Sequence, residues 1–222
     1  KKKKLYGIIE ANKKLSKIIE KKFHVKILKF KDLKEKNIKN CFITTPSYLH
    51  YKHSLEVLKY NKNIFVEKPL SFSEKHIEDL IKKTKNKKIV FMVGYLLIHH
   101  PALIVLKKIL RKEKKNLIFI KSSRKSNGKI RVRDNVLWNL GIHDFAYILD
   151  ALELDIQSLN KINFNFLNNQ IDESKVYIKF KKNILYSGEF SWLNHKKSQN
   201  MVFQTKNKIY IYNDLAENKL IK

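Results

Sequence analysis

Asn63-Ile64-Phe65-Val66-Glu67-Lys68-Pro69-Leu70 is the stretch that decides the fold. It opens as a short apolar run, Ile64 to Val66, of the kind shown by a strand buried on both faces. It ends in an acid, a base and a proline. Proline has no N–H to give to a ladder, so the strand stops there. Glu67 and Lys68 therefore sit at a strand's carboxyl end, where ligands bind in open α/β sheets. The same residues would also suit a surface ion pair before a turn, and the surrounding sequence decides between the two readings. The Lys68–Pro69 peptide is expected to be cis, because only X–Pro bonds adopt that form cheaply.

Working outward, Leu5 to Glu10 reads as a strand ending in an acid. Residues 11–23 place Leu15, Ile18, Ile19 and Phe23 on one helical face. Val25 to Leu28 is a short strand, and Asn40 to Thr45 is another, stopped by Pro46. Ser47 to Tyr60 is helical, with Leu55 and Leu58 facing a core. Ser73 to Asn86 is a helix with Ser73 as its cap and His76, Ile77, Leu80 and Ile81 inward. Lys88 to Tyr95 is a strand. Strands alternating with helices of this length specify a doubly wound parallel sheet.

The pattern changes near residues 96–100. A helix spans His100 to Lys112, a strand Leu117 to Ser123, and an apolar helix lies within Asn135 to Leu152. Five strands then follow one another: 161–166, 175–180, 185–192, 200–205 and 208–212. Val176, Ile178 and Phe180 alternate with Tyr177 and Lys179, as a sheet with one wet face requires. Asn183 marks a hairpin turn. The expected architecture is a partial dinucleotide-binding domain over 1–97 and an α+β domain with a mostly antiparallel sheet over 98–222.

The chain has 222 residues, of which 43% are hydrophobic, enough to bury a core. No run approaches the ~20 apolar residues of a membrane span. The N-terminus lacks a signal peptide's apolar region. The single cysteine, Cys41, excludes an internal disulfide framework and fits a reduced cytoplasmic protein; it begins an apolar strand and reads as core. The formal charge of +28 raises the nucleic-acid reading. Only four of the 48 basic residues are Arg (Arg111, Arg124, Arg131 and Arg133), although Arg is the preferred residue for phosphate forks and base edges. The Lys is spread along the whole chain, as on a solvated surface, so no specific nucleic-acid partner is expected.

The five glycines, Gly7, Gly94, Gly128, Gly141 and Gly188, never form the G-x-G-x-x-G run that cradles a dinucleotide pyrophosphate. Leu5 to Glu10 nevertheless reads as the second strand of such a fold. The chain is therefore expected to start roughly 30 residues inside a domain, about one βαβ half-unit, and to stop before a closing element. By itself it is expected to hold NAD weakly. His50 and His53 are spaced as zinc ligands can be, but no third ligand stands at a metal-site spacing, so no metal is expected.

Several motifs together resemble the Gfo/Idh/MocA oxidoreductases, the glucose–fructose oxidoreductase and inositol dehydrogenase group. Thr44-Thr45-Pro46-Ser47-Tyr48-Leu49-His50 is similar to the family's T-P-x-x-x-H, and Val66-Glu67-Lys68-Pro69-Leu70 to its E-K-P signature. Met92-Val93-Gly94-Tyr95 followed by His100-Pro101-Ala102 resembles a third segment. Leu137-Trp138-Asn139-Leu140-Gly141-Ile142-His143-Asp144 resembles its (D/N)-x-G-x-H-D helix. Ser191-Trp192-Leu193 and Tyr212-Asn213-Asp214-Leu215 resemble late motifs of members acting on nucleotide-linked sugars.

The resemblance implies hydride transfer between a nicotinamide cofactor and a hydroxyl-bearing carbon of a sugar, polyol or sugar nucleotide. It implies His143 as the base for the hydroxyl proton, Lys68 as the cation beside the developing alkoxide, and Asn139, one helical turn before His143, on the same substrate. Glu10 would grip the adenosine ribose, favouring NAD, while Lys13 and Lys14 leave NADP open. Thr45, Pro46, His50, Glu67 and Lys68 would line the nicotinamide half. Tyr95, Arg124, Asn139 and Trp192 are candidates for the substrate face. A homo-oligomer through the second sheet is the expected assembly. The alternatives are a relative that no longer catalyses and a basic nucleic-acid-binding protein.

Overall fold

In a computed structural model, residues 5–127, 134–167 and 169–222 are described. Lys1 to Lys4, Arg131 and Arg133 lie outside them. The chain divides into two compact units, Lys1–Gly94 and Tyr95–Lys222.

The first unit alternates strand and helix: β1 (Gly7–Ile8), α1 (Lys13–Phe23), β2 (Lys26–Ile27), β3 (Asn40–Ile43), α2 (His50–Leu58), β4 (Asn63–Val66), α3 (Glu74–Thr84) and β5 (Phe91–Val93). All pairings are parallel, in two groups: β1 with β2, and β3-β4-β5. β1, β2, β3 and β5 are shorter than the stretches that read as strands. Asn12 ends the first run by capping α1, its side chain accepting from the amides of Lys14 and Leu15. At the other end of α1, His24 turns left-handed at φ 51.

The core of this unit is Leu33, Ile38, Ile43, Val57, Leu58, Ile64, Val66, Leu70 and Leu80. Two helical faces depart from the pattern. Ser73 stands at the cap position of α3 without a side-chain capping bond, and Ile81 faces solvent. Leu15, Ile18 and Phe23 on α1 are exposed as well, because no described element packs over that face. Between β1 and β3 lies an apolar cavity of about 380 Å³, lined by Tyr6, Ile8, Leu28, Cys41 and Ile43 among others.

The second unit holds α4 (Pro101–Glu113), β6 (Leu117–Asn127), α5 (Ile142–Leu152) and six further strands: β7 (Ile156–Phe164), β8 (Glu173–Phe180), β9 (Ile184–Ser191), β10 (Leu193–Thr205), β11 (Ile209–Asn213) and β12 (Leu220–Ile221). They form one sheet in the order β12-β11-β10-β6-β9-β8-β7. Only β6 and β9 run parallel; the other pairs are antiparallel. The β8–β9 hairpin turns through Lys182 and Asn183, both with positive φ. His100 caps α4 by accepting from the Ala102 amide, and Pro101 takes the first helical position.

The period-2 pattern works as the sequence requires. Val176, Ile178 and Phe180 are buried against α4 and α5, while Tyr177 is exposed. Gly188 is needed on β9 for a packing reason. A Cβ there would stand 2.2 Å from the Tyr186 hydroxyl, which bonds Ser122 Oγ at 2.6 Å. β12 pairs with β11 at the very end of the chain, a strand too short to show a period.

Candidate functional site

In the first unit the site is built by strand register. Ile43 is level with Val66, and Val66 with Val93. The ladder continues one step further, with the Glu67 amide donating to Ile43 O at 2.9 Å and the Gly94 amide to Val66 O at 2.8 Å. Thr44-Thr45, Glu67-Lys68 and Gly94 therefore leave the sheet at one carboxyl edge, where open α/β sheets bind ligands.

His50 ties two of these loops together. Its Nδ1 lies 2.7 Å from Pro69 O and its Nε2 2.7 Å from Thr45 O, and the ring is buried. Each ring nitrogen faces a backbone carbonyl, and a ring N–H donates to at least one of them, so His50 spans the Thr45-Pro46 and Lys68-Pro69 turns. Thr45 Oγ1 meets His53 Nδ1 at 3.1 Å. Burial pushes the His53 imidazole below its ordinary range, helped by Lys52. The Lys68–Pro69 peptide is cis.

Glu67 is half-buried, with Oε2 accepting from the Lys68 amide at 3.3 Å. Gly94 leaves room for it: a Cβ there would lie 3.0 Å from the Phe65 ring and 3.3 Å from Glu67 Oε2. Glu10 follows β1, its carboxylate accepting from the Asn12 amide at 2.8 Å. The carboxylates of Glu10 and Glu67 at strand ends, with the space kept beside Glu67, fit the ribose hydroxyls of a dinucleotide. Among the described residues no group of three or more His, Cys, Asp or Glu could hold a metal ion.

In the second unit Asn139 lies in a π-helical turn, Leu137–Gly141, and His143 opens the α-helix that follows. The sequence spacing implied an uninterrupted α-helix. Gly141, at the end of this turn, is buried close to Phe145, where a Cβ would find an atom at 3.1 Å. Such π-turns recur at functional sites. Both Asn139 and His143 are half-buried.

Arg124 on β6 points to the helix side and pairs with Asp144, Nε to Oδ1 at 2.5 Å, with both side chains buried. Burial raises the Asp144 carboxyl above its usual range, against the pull of the Arg124 guanidinium. Asp144 thus anchors the residue next to His143 to the sheet. In sequence, the one signal for this role is the placement of Asp144 directly after His143. Burial also pushes the Tyr186 phenol well up, with Asp144 adding to it.

Two expected substrate-face residues are placed differently. Trp192 is 2% exposed inside the core, because the strand before it alternates inward at Phe190 and the turn then buries the indole. Arg124 is occupied by Asp144. Tyr95 is half-buried, its phenol raised by burial.

Residues 1–95 match the sequence family described as "Oxidoreductase family, NAD-binding Rossmann fold". A 2,7-anhydro-N-acetylneuraminate hydratase of Escherichia coli (strain K12) is 33% identical over 55 residues, 25% of this chain and 15% of that protein. The chain thus spans only a small part of that curated relative. Solved structures share the fold over nearly the whole chain. The UDP-N-acetylglucosamine 3-dehydrogenase GnnA of Acidithiobacillus ferrooxidans superposes with a TM-score of 0.83 at 16% identity, covering 98% of this chain and 74% of that one. Levoglucosan dehydrogenase in complex with NADH and L-sorbose gives 0.82 at 16% identity, covering 97% and 65%. No described helix is long and apolar enough to cross a membrane. Residues 1–95 of this chain thus match the Gfo/Idh/MocA oxidoreductase family's NAD-binding Rossmann domain.

Proposed function

We propose that the protein is an NAD-dependent dehydrogenase acting on a hydroxyl-bearing carbon of a sugar, polyol or sugar nucleotide. One observation carries this reading. The Thr45-Pro46 and Glu67-Lys68-Pro69 turns leave one sheet edge and are locked to each other by His50, within an NAD-binding family fold.

NAD supplies the hydride acceptor when bound. Glu10 and Glu67 hold its ribose hydroxyls, and Thr45 and Pro46 line its nicotinamide half. His143 takes the proton of the substrate hydroxyl, since an imidazole titrates near neutral pH. The Lys68 ammonium supplies the positive charge that an alkoxide requires. Asn139 offers an amide to a neighbouring hydroxyl. His50 acts through the turns it ties and not by touching the cofactor. A second copy binds through the open face of the sheet, where Ile162, Tyr177, Leu185 and Ile209 are exposed.

The test is NADH formation with panels of free sugars, polyols and sugar nucleotides. Activity confined to one of these classes is expected. Absence of NADH with all three would refute the reading.

A further inference from the structure

Thr45 is held by two histidines of α2, and the hydride-transfer reading uses only one of them. His50 Nε2 lies 2.7 Å from Thr45 O, and His53 Nδ1 lies 3.1 Å from Thr45 Oγ1. The two rings stand one helical turn apart, on one face of the helix. His50 thus reaches the main chain of Thr45, and His53 its side chain. The motif from Thr44 to His50 stops short of His53 and gives it no part.

His53 is itself supported. Its ring leans on Phe30, with centroids 5.4 Å apart and the planes tilted at 50°. It is half-buried, and with Thr44 and Thr45 it lines the cavity between β1 and β3, at the carboxyl end of β3. Burial is the largest influence on its charge and opposes it. Lys52 and His50 oppose it too, while Glu56 favours it, all three from α2. Phe30 and Thr45, from the other segments against the ring, carry no charge. The imidazole is therefore neutral at pH values above its ordinary 6.5.

A neutral imidazole has one N–H and one lone pair, and a threonine hydroxyl has a single proton to give. In the ordinary Nε2–H tautomer Nδ1 carries only the lone pair, so the proton between the two side chains comes from Thr45. We infer that His53 is a positioning residue for cofactor binding: by accepting the Thr45 proton it leaves only lone pairs of Thr45 Oγ1 to offer to the nicotinamide half of NAD. An oxygen held in this way accepts from a carboxamide N–H or a ribose hydroxyl and has no proton to give. The inference rests on the cofactor reading of Thr45 and adds a control to it.

The control is protonation. An imidazolium carries N–H at both ring positions, so Nδ1 then donates to Thr45 Oγ1 and occupies one of its lone pairs. The hydroxyl proton is released to the side where the oxygen had been accepting. NAD binding should weaken as His53 gains its proton, and burial places that change below the ordinary imidazole value of 6.5.

The probe is NAD, titrated to millimolar concentration into the full chain with isotope-labelled histidines and followed by NMR between about pH 5 and pH 8. At about pH 8 the His53 ring should show Nε2 protonated and Nδ1 bare, the signature of an accepting Nδ1. Affinity for NAD should fall about two- to tenfold on acidification, the loss of one hydrogen bond, with its midpoint where the His53 ring titrates. His53→Phe cannot bond Thr45 and should bind NAD about two- to tenfold more weakly at about pH 8. His53→Asn, whose Oδ1 takes the place of Nδ1, should recover part of that loss and show no fall in acid. The inference is overturned if Nδ1 carries the proton at about pH 8, if affinity does not change with pH, or if His53→Asn weakens in acid as the unaltered chain does. The ring signature involves neither cofactor nor turnover, so it can fail while the dehydrogenase reading stands. Absence of NAD binding at every pH would instead remove the cofactor reading, and this inference with it.

Discussion

His50 Nδ1 stands 2.7 Å from the carbonyl oxygen of Pro69, across 19 residues of sequence. With Nε2 on Thr45 O, the ring spans the two turns that carry the family's most specific residues. His50→Ala would leave a carbonyl inside the protein without its donor. A loss of about 1–3 kcal/mol in urea unfolding is expected, the cost of one buried group left unsatisfied. A loss below about 0.5 kcal/mol would show that the tie contributes little.

The Arg124–Asp144 pair predicts a steeper pH dependence once the guanidinium is removed. Arg124→Met strands a carboxyl that burial already pushes up. In that variant the folded pKa lies above the unfolded one, so the folded state binds the extra proton. Its stability is greatest at acid pH and falls as pH rises from the ordinary Asp range, about 3.9, through the raised value. Around neutral pH the variant should be destabilised by about 3–5 kcal/mol. Thermal unfolding between about pH 5 and pH 8 checks this. A variant less stable at pH 5 than at pH 8 would contradict it.

Gly188→Ala should displace Tyr186 from Ser122, because the new methyl occupies the place of the phenol. Overpacking of this kind costs about 1–3 kcal/mol. Pairing it with Tyr186→Phe, which removes the clashing oxygen, should recover part of that loss. If the double variant is no better than the sum of the singles, the close approach is not the cause.

The proposed function gives the choice of cofactor to Glu10, the acid after β1. Glu10→Ser should narrow the preference for NAD over NADP, because it removes the charge that repels a 2′-phosphate while Lys13 and Lys14 remain. The ratio of kcat/KM for the two cofactors measures this. An unchanged ratio would move the specificity elsewhere.

The alternation of apolar strand and helix made the first unit legible in sequence, and proline at position 69 fixed where its decisive strand ends. The second sheet was legible through Val176, Ile178 and Phe180. What escaped was set by tertiary contact. The π-turn before His143 breaks the 3.6-residue spacing and leaves no trace in the apolar pattern. The inward turn of His50 depends on Pro69 O, and the burial of Trp192 on the core around it. The bulge at Asn194–Lys197 is invisible to a period-2 pattern, because it exists only as a mismatch with β6.

The most direct test of the central claim is kcat for NADH formation, at millimolar NAD and with the preferred substrate class, in the unaltered chain and in His143→Ala and Lys68→Ala. Loss of the general base should lower kcat by about 10²–10⁴-fold. Lys68→Ala should lower kcat as well, and the KM for NAD should change little in either variant, since neither residue holds the adenosine half. A His143→Ala protein that keeps its kcat would contradict the account.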